Sequence, residues 1–477
     1  MNTTVTTPQT STFEEIDRVF EAQKANTQQI KNTTARARIA KLKALKQAIQ
    51  ASQTELQQAI YNDFRKSPEE TDLSEVFIVF KAIDDACGHL KKWMRPKKVA
   101  TPRALLGTSS RVVKEPKGVA LIIAPWNYPF QLTIDPLVSA IAAGNTAVLK
   151  PSEMTPHTSA YLKKLITQVF KEEEVALFEG DAEVAQHLLK KRFDHIFFTG
   201  SPMLGKIIMR AAAEHLIPVT LELGGKSPTV VDSTANIEDA ADKITYGKFL
   251  NCGQTCIAPD YLLVHESVKD DLVNGIKKRI HRFYGENVQA SSDLTRIVNE
   301  RHFNRLSGLL ADATEKGAKV TEGGQTDASE NYIAPTLLDN IDENMEVMQE
   351  EIFGPLLPIV TFKTLQEATD LINSKEKPLA MYIFSKSKAN QQFLVQHTTA
   401  GGTTINDTLL HITNPYLPFG GVNNSGFGKT HGYYGFEAFS NERAVLKQRV
   451  GFTGIKLIYP PYNDKVRKYI KMFFKWA

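Results

Sequence analysis

Five short apolar runs in the first half of the sequence limit its possible folds more than any other feature. Amphipathic stretches separate the runs, which lie at 119–124, 146–150, 175–178, 195–198 and 218–221. Short apolar segments that alternate with helical segments indicate a mostly parallel β-sheet with helices on both faces. The alternation continues, with runs at 229–232 and 261–264 and helical patterns at 237–249 and 268–283. We therefore predict an α/β chain with a second α/β domain after the first.

The opening of the chain is predicted to be helical. Apolar residues recur at helical spacing from about residue 13 to residue 94. Ser52, with Glu55 three residues later, has the form of a capping box that begins a helix. The 42% hydrophobic and 23% charged residues are typical of a globular protein, and no run approaches 18 apolar residues. We expect neither a membrane span nor a secretion signal.

Charge and cysteine content exclude further classes of protein. Residues 463–477 carry a net charge of +4, which equals the net charge of the whole chain. The rest of the chain is balanced, so no basic face is indicated and we expect no nucleic-acid partner. The three cysteines form no CxxC pair, which favours a reducing compartment and a cytoplasmic protein.

Polar residues follow several predicted strands, at the edge where parallel sheets bind ligands. Gly200-Ser201 follows the fourth run and opens a helix that contains Gly205, a geometry in which backbone N–H groups can hold a pyrophosphate. A βα turn also needs a glycine for geometry alone. Glu153, after the second run, can accept hydrogen bonds from a ribose, and Lys150 can bind the same hydroxyls or a 2′-phosphate. A surface ion pair between these two residues is the alternative.

The free thiols are the most suggestive chemical feature. Cys256 lies in a small, polar stretch after the predicted helix at 237–249, which favours a reactive position, whereas Cys87 lies in an apolar pattern typical of a buried residue. A nucleophilic thiol needs an oxyanion donor and a base, and Asn127 and Glu222 at strand ends are available for those roles. The histidines show no metal-ligand spacing, so we predict no metal site.

Five motifs in order along residues 13–460 resemble the aldehyde dehydrogenase superfamily. They are Pro-Trp-Asn at 125–127, Glu-Leu-Gly-Gly-Lys-Ser-Pro at 222–228, Gly-Gln-Thr-Cys at 253–256, Glu-Glu-Ile-Phe-Gly-Pro at 350–355 and Pro-Phe-Gly-Gly at 418–421. The segment 254–261, and Asn406-Asp407 leading to residues 411–413, are similar to the class 3 branch, which acts on fatty and aromatic aldehydes.

The resemblance implies a Rossmann-like cofactor domain with a parallel sheet, an α/β catalytic domain, a small β oligomerisation arm and a homodimer. The cofactor domain would comprise residues 1–98 and 118–222, and the catalytic domain residues 223–430. The arm would comprise residues 99–117 and 431–455, and a C-terminal amphipathic helix would occupy residues 456–477.

The chemistry that the resemblance implies is NAD(P)-dependent oxidation of an aldehyde to its carboxylate. Cys256 would attack the carbonyl, Asn127 and the Cys256 N–H would hold the oxyanion, and Glu222 would activate water to hydrolyse the thioester. We expect NAD as cofactor, with NADP as a usable alternative, and medium or long aliphatic or aromatic aldehydes as substrates. Tyr128 and Ile412 would line the substrate tunnel, and the expected cofactor-binding residues are Trp126, Lys150, Glu153, Gly200, Ser201, Gly205, Glu351 and Phe353.

Two other functions use part of the same residues. A cysteine thioesterase or acyl hydrolase would keep the Cys256 nucleophile and omit the redox step. A non-catalytic NAD-binding protein would need neither, and the intact thiol, carboxylate and amide argue against it.

The C-terminal segment, residues 463–477, is predicted to be an amphipathic helix. Its apolar residues fall on one face, its lysines lie off that face, and Trp476 adds an interfacial side chain. Fifteen helical residues span about 22 Å, too short for a hydrocarbon core of about 30 Å. The apolar face therefore either packs on the protein's own body or docks on an anionic membrane surface, and in the second case the cytoplasmic protein would be membrane-peripheral.

Overall fold

The computed structural model describes residues 11–102, 105, 107–451 and 453–475. A π-helical turn, Asp72–Val76, joins two of the α-helices. The α-helices are α1 (Phe13–Lys31), α2 (Ala35–Ala51), α3 (Gln53–Phe64), α4 (Pro68–Thr71), α5 (Phe77–Trp93), α6 (Gln131–Ala143), α7 (Pro156–Val169), α8 (Ala182–Leu189), α9 (Pro202–Ala213), α10 (Ile237–Phe249), α11 (Lys269–Tyr284), α12 (Glu300–Glu315), α13 (Glu346–Gln349), α14 (Leu365–Asn373), α15 (Lys388–His397), α16 (Gly432–Ala438) and α17 (Asp464–Phe473).

The β-strands follow the predicted alternation with helices. They are β1 (Lys97–Val99), β2 (Thr108–Pro116), β3 (Val119–Ile123), β4 (Thr146–Lys150), β5 (Val175–Leu177), β6 (His195–Gly200), β7 (Val219–Leu223), β8 (Pro228–Val231), β9 (Tyr261–His265), β10 (Lys319–Glu322), β11 (Thr326–Asp327), β12 (Tyr332–Ile333), β13 (Thr336–Asp339), β14 (Leu356–Phe362), β15 (Ala380–Phe384), β16 (Gly402–Ile405), β17 (Gly426–Phe427) and β18 (Ser440–Gln448).

A six-stranded sheet with the order β17-β7-β6-β3-β4-β5 contains the five predicted runs. These runs form β3 to β7, which are parallel to one another. Ala120 and Ile122 of β3 pack with one helical layer, and Val119, Leu121 and Ile123 pack with the other. Because both faces are buried, the strands are continuous apolar runs rather than alternating ones. The α/β fold class is confirmed.

A second, seven-stranded sheet has the order β10-β13-β14-β9-β8-β15-β16. Its strands are parallel except β10, which pairs antiparallel with β13. Helix α10 has the predicted bounds, and α11 begins and ends one residue later than predicted. Apolar cores cover both faces of this sheet as well.

A small antiparallel sheet, β1-β2-β18, joins a segment near the start of the chain to one near its end. β18 pairs with β2 along nine residues, from Ser440 opposite Pro116 to Gln448 opposite Thr108. Two elements differ from the predicted ranges. β17, within 223–430, pairs with β7 in the six-stranded sheet, and α16, within 431–455, packs on α6 and α5. Both differences arise from contacts between residues far apart in sequence.

Ser52 occupies the N-cap position just before α3, but its side chain does not cap that helix. Its hydroxyl donates to the Ala48 carbonyl oxygen at 2.9 Å and lies 2.8 Å from the Tyr161 hydroxyl. α2 ends at Ala51 and α3 begins at Gln53, so Ser52 also closes α2. The predicted capping box is wrong, because the preceding helix already uses the hydroxyl.

A fully buried ion pair fixes the start of α6. The Lys66 ammonium lies 2.8 Å from a Glu75 carboxylate oxygen, and both side chains are 0% exposed. The other Glu75 oxygen accepts hydrogen bonds from the backbone N–H groups of Phe130 and Gln131, at 2.9 and 3.1 Å. Residues 125–130, which precede α6, therefore depend on a carboxylate from the π-helical turn near the start of the chain.

The predicted C-terminal helix is present as α17, but it is shorter than the predicted range of 456–477, because residues 459–463, which precede it, are not helical. Asn463 caps it through a hydrogen bond from the Val466 N–H. Val466 is buried, whereas Phe474 is 77% exposed, and α17 contacts the short 3₁₀ helix Gly454–Ile458. Trp476 lies outside the described residues. Among the described helices, none is long and apolar enough to cross a membrane.

Lys66→Met is expected to lower the free energy of unfolding by about 3–5 kcal/mol, because it leaves the Glu75 carboxylate buried without its cation. Lys164→Met is the matched control, since Lys164 pairs with Glu55 on the surface and such pairs contribute about 0–1 kcal/mol. Urea unfolding followed by circular dichroism measures both. Equal losses for the two variants would contradict the structural role of the buried pair.

Candidate active site

Two cavities adjoin at the carboxyl edge of the six-stranded sheet, because Leu132, Thr199, Glu222 and Cys256 line both of them. One, about 160 Å³, is mainly apolar, and we call it the apolar cavity; its other lining residues include Tyr128, Leu409, Ile412 and Phe419. The second, about 210 Å³, we call the cleft; its other lining residues include Trp126, Asn127, Gly200, Ser201, Glu351 and Phe353. A thiol and a carboxylate thus lie at the boundary between the two.

Neighbouring strands bring the predicted groups to this edge. β6 lies between β3 and β7, and all three are parallel, so their carboxyl ends meet. Asn127 follows β3, Gly200 ends β6, and Glu222 lies one residue before the end of β7. The catalytic candidates therefore come together as the predicted alternation requires.

Cys256 follows a left-handed turn of the backbone. Asn251 and Cys252 both have φ of 54°, and Gly253 has φ of 73°. Non-glycine residues rarely adopt this region, so two in succession require strong local support. A Cβ on Gly253 would overlap the carbonyl group of Gly354, so the third position of the turn admits only glycine.

Hydrogen bonds from distant residues support this turn. The Glu70 carboxylate accepts from the Asn251 N–H at 2.7 Å and from the Thr295 hydroxyl at 3.3 Å. The Asn251 side chain donates to the carbonyl oxygens of Asn127 and Gln254, at 2.8 and 3.1 Å. Burial raises the pKa of Glu70 to about 7. Sequence analysis missed Glu70 and Asn251, because no local pattern marks a contact across 181 residues.

Asn127 is locked to the loop that carries the thiol. Its side-chain nitrogen donates to the Gln254 carbonyl oxygen at 3.0 Å. An amide nitrogen carries two N–H groups, so the second remains for a ligand. Asn127 lines the cleft together with Cys256, and this arrangement gives the cleft a fixed donor.

The Cys256 thiol is held in its neutral form. Burial raises its pKa above the usual range, and the nearby carboxyl groups of Glu351 and Glu222 raise it further. The backbone N–H groups of Cys256 and Ile257 act in the opposite direction, because they stabilise the thiolate. Forming a nucleophile here requires a base or a bound positive charge.

Glu222 is a buried carboxyl group that no hydrogen bond from the described part of the chain holds in place. Neither of its oxygens has a hydrogen bond with the residues that the structure describes. Burial raises its pKa well above the usual range, and the Lys429 ammonium partly offsets this effect. Such a group can take up a proton at neutral pH, and its free oxygens can accept a hydrogen bond from water or substrate.

Aromatic rings and a second carboxyl group form the wall of the cleft. The rings of Trp126 and Phe353 pack edge to face, with their centroids 5.3 Å apart. The Trp126 ring also packs against His302, and these two centroids are 4.7 Å apart. Burial raises the pKa of Glu351 to about 8, with a contribution from the negative charge of Asp260. A Cβ at position 224 would overlap the Glu351 carboxylate as it now lies, so this carboxylate packs directly against the Gly224 backbone.

Comparison with known proteins identifies the family. The family model described as "Aldehyde dehydrogenase family" matches residues 1–445. This chain belongs to the aldehyde dehydrogenase family. It is 48% identical to the 4,4′-diaponeurosporen-aldehyde dehydrogenase of Staphylococcus aureus, across 94% of this chain and 96% of that protein. It is 45% identical to aldehyde dehydrogenase family 3 member A2 of Rattus norvegicus, across 92% and 90% respectively.

Solved structures give the same result for the aldehyde dehydrogenase fold. The substrate-bound state of Staphylococcus aureus AldH has a TM-score of 0.92 and 47% identity, and covers 96% of this chain and 99% of that one. A betaine aldehyde dehydrogenase from the same organism, in complex with NAD⁺, has a TM-score of 0.83 and 29% identity, with 93% and 90% covered. The resemblance to class 3 is confirmed, and the oxidation of aldehydes is favoured over the thioesterase alternative.

The cleft of this aldehyde dehydrogenase fits a nicotinamide dinucleotide. Gly200 and Ser201 line it where α9 begins, and free backbone N–H groups at a helix N-terminus favour a pyrophosphate. Gly224 also lines the cleft, and the Glu351 carboxylate lies directly beside its backbone. The Thr199 hydroxyl is buried and makes no hydrogen bond within the described part of the chain. The residues of the cleft thus fit the NAD(P) cofactor that is typical of this family.

Three predicted cofactor-binding residues, Lys150, Glu153 and Gly205, do not line the cleft. The Lys150 ammonium lies 2.9 Å from a Glu153 carboxylate oxygen, so these two residues form an ion pair at the end of β4, outside the wall of the cleft. Gly205 lies within α9 against the Leu223 side chain, where a Cβ would be 2.9 Å from a Leu223 methyl carbon. Gly205 thus allows close packing of a helix on a strand in the aldehyde dehydrogenase.

Two residues of the cleft were not predicted. His302 has a pKa lowered to about 4 by burial and by Arg305 and Arg301, so its imidazole is neutral at pH 7. Arg305 donates to the Ile352 carbonyl oxygen at 2.6 Å and to the Glu350 carboxylate at 2.9 Å. Both lie on α12, whose sequence carries no motif that would mark them.

The predicted substrate residues line the apolar cavity of the aldehyde dehydrogenase. Tyr128 places its hydroxyl 2.7 Å from the Thr255 hydroxyl, and the Lys66 ammonium lies 4.4 Å from its ring centroid. Ile412 lies in the 3₁₀ helix Leu410–Thr413. Among the described residues, no group of three His, Cys, Asp or Glu side chains could hold a metal ion.

Glu351→Gln is expected to speed alkylation of Cys256 by iodoacetamide at pH 9 by roughly threefold, which corresponds to about half a pKa unit. At that pH Glu351 is above its pKa of about 8, so its negative charge opposes the thiolate. The Cys256 peptide is quantified by mass spectrometry without cofactor. Glu350→Gln is the matched control, because Glu350 pairs with Arg305. Unchanged or slower alkylation of the Glu351 variant would contradict the assigned electrostatics.

Proposed function

We propose that Cys256 is the nucleophile with which this enzyme oxidises aldehydes, and that Glu222 is the base that completes the reaction. The observation that carries this proposal is that both side chains lie at the boundary between the apolar cavity and the cleft. A group at this boundary can contact a substrate in one cavity and a cofactor in the other. The apolar cavity would hold the aldehyde, and the cleft would hold NAD.

In the first step the Cys256 thiol would give its proton to water, and its sulfur would attack the carbonyl carbon to form the oxyanion of a thiohemiacetal. The developing negative charge falls on the carbonyl oxygen, where the free N–H of the Asn127 amide and the Cys256 backbone N–H would stabilise it. Because Asn127 is already bonded to the Gln254 carbonyl, its donor needs no reorganisation. Removal of one such donor typically lowers turnover by about 10²- to 10³-fold.

NAD supplies the acceptor for the hydride that leaves the former carbonyl carbon. Trp126, Glu351 and Phe353 would position the nicotinamide end, and Gly200 with Ser201 the pyrophosphate. Loss of the hydride leaves a thioester on Cys256. Glu222 then takes a proton from water, which attacks the thioester and releases the carboxylate and the thiol.

A preference for NAD over NADP is proposed from the Lys150–Glu153 pair. Glu153 is half-exposed at the end of β4, where its carboxylate would accept hydrogen bonds from a ribose and repel a 2′-phosphate. Lys150 is almost fully buried and already holds Glu153, which leaves it less available to a phosphate. Comparison of kcat/KM for the two cofactors tests this, and a large NADP preference would refute it.

The proposed substrates are medium or long aliphatic or aromatic aldehydes. Leu409, Ile412 and Phe419 supply an apolar wall beside the thiol, which favours hydrocarbon over charged groups. The Staphylococcus aureus relative is named for a 4,4′-diaponeurosporen-aldehyde. A chain-length series of aldehydes tests the assignment, and a preference for short, charged aldehydes would overturn it.

The proposed division of the chain assigns 1–98 and 118–222 to cofactor binding and 223–430 to catalysis, with β17 added to the cofactor-binding sheet. The arm at 99–117 and 431–455 would form a homodimer, and 456–477 would be a C-terminal appendage. Exposed apolar residues on the small sheet, Val99 and Leu446, support the arm as an interface. Light scattering of the purified protein tests the dimer, and a monomeric mass would refute it.

We propose that α17 binds anionic membrane surfaces and makes the cytoplasmic enzyme membrane-peripheral. Phe474 is exposed beside the lysines at 471 and 475, and a segment with apolar and basic side chains binds such lipid. Vesicles containing phosphatidylserine should pellet the full chain at low salt more than a chain that ends at Tyr462. Vesicles of neutral lipid are the control, and equal, negligible pelleting of both chains would leave only a packing role.

Glu222→Gln is expected to separate the two halves of the reaction. The thioester still forms, so NADH absorbance at 340 nm should rise in a burst close to the enzyme concentration, followed by turnover at least about 10²-fold slower than wild type. Cys256→Ser should show neither burst nor turnover and bind NAD normally. A pure hydrolase would produce no NADH in any variant, and loss of the burst in Glu222→Gln would place Glu222 at an earlier step.

A further inference from the structure

The apolar cavity has a polar patch in its wall. Gln131 and Asp135 come from α6, and His431 immediately precedes α16. All three side chains are buried, with exposed fractions of 3%, 6% and 8%. Gln131 and Asp135 are one helical turn apart, so they lie on the same face of α6. We call these three residues the polar patch.

Packing does not account for the polar patch. The Gln131 amide lies beside the Asp135 carboxyl group, but its nitrogen makes no hydrogen bond of acceptable geometry with any described residue. The Asp135 carboxylate lies 3.3 Å from the His431 ring nitrogen. Buried amide donors are nearly always paired in folded proteins, so an unpaired one on a cavity wall indicates a ligand group.

The polar patch suits an uncharged group. Burial raises the pKa of Asp135 and lowers the pKa of His431, and both shifts favour the neutral forms. The His431 ring also stacks on Phe419, with centroids 4.7 Å apart and an interplanar angle of 9°. The patch therefore has one side chain fixed by stacking, and it offers an unused donor at Gln131 next to an acceptor at Asp135.

We propose that Gln131, Asp135 and His431 bind a hydroxyl group that the aldehyde substrate carries away from its reacting carbon. The hydroxyl oxygen would accept a hydrogen bond from the Gln131 amide, and the hydroxyl would donate one to an Asp135 carboxyl oxygen. The hydrocarbon between hydroxyl and aldehyde would contact Leu132 and Ile412. The inference rests on the proposed function, because it requires the aldehyde to enter the cavity that Cys256 lines.

Matched aldehyde pairs test this inference: octanal, decanal and dodecanal against their ω-hydroxy forms, with NAD. For at least one chain length, the wild-type enzyme should show a kcat/KM about tenfold higher for the hydroxylated member, as expected for about one added hydrogen bond. Gln131→Met should abolish most of this preference and keep kcat/KM for the plain alkanal, which also shows that the variant folds. Asp135→Asn is the second variant and should likewise reduce the preference.

Leu410→Met is the matched control, because it changes an apolar side chain of the same cavity and should leave the preference unchanged. A wild-type ratio near one at every chain length would overturn the inference, as would an unchanged ratio in both Gln131→Met and Asp135→Asn. These outcomes differ from failure of the proposed function, in which the plain alkanals would yield no NADH or Cys256→Ser would remain active. If the proposed function fails in this way, the proposed role of the polar patch fails with it, because no aldehyde would then enter the apolar cavity.

Discussion

The site depends on hydrogen bonds that join the loop after β3 to the loop before β9. Asn251 and Gln254 in the thiol-bearing loop bond to Asn127, and Glu70 holds the strained turn from a third direction. With these bonds, the oxyanion donor and the nucleophile keep a fixed relation before any ligand arrives, which is what electrostatic catalysis requires. The strained backbone of the turn persists because hydrogen bonds with Glu70 and Asn127 hold it in this conformation.

Burial gives the site its second property. It raises the pKa of Cys256, Glu222 and Glu351 together, so three acidic groups in one place avoid three negative charges. The site is thus close to neutral until it reacts. The same environment that makes the thiol a poor nucleophile at rest makes Glu222 a stronger base than a carboxylate in water.

The parts of this structure that could be read from the sequence are those with local signals. β3 to β9 and helix α10 are buried strands or amphipathic segments with short-range patterns, and the five motifs place Cys256, Glu222 and Asn127. Glu70, Asn251 and the Lys66–Glu75 pair act through contacts between distant residues, which periodicity and spacing do not encode. At Ser52 a local pattern is present but gives a wrong prediction. The sequence has the form of a capping box, but the Ser52 hydroxyl donates to a carbonyl oxygen of the preceding helix instead.

The antiparallel pairing of β17 with β7 affects how the protein can be made. Gly426 lies opposite Glu222, about 200 residues earlier in the chain. At about 5–20 residues per second, a ribosome needs tens of seconds to cover that distance. During that time β7 is an unpaired edge strand, open to association with other nascent chains. The pairing of β7, the strand that carries Glu222, with its second neighbour is therefore a late event in synthesis. A chain truncated before residue 426 would keep β7 as an open edge of the six-stranded sheet.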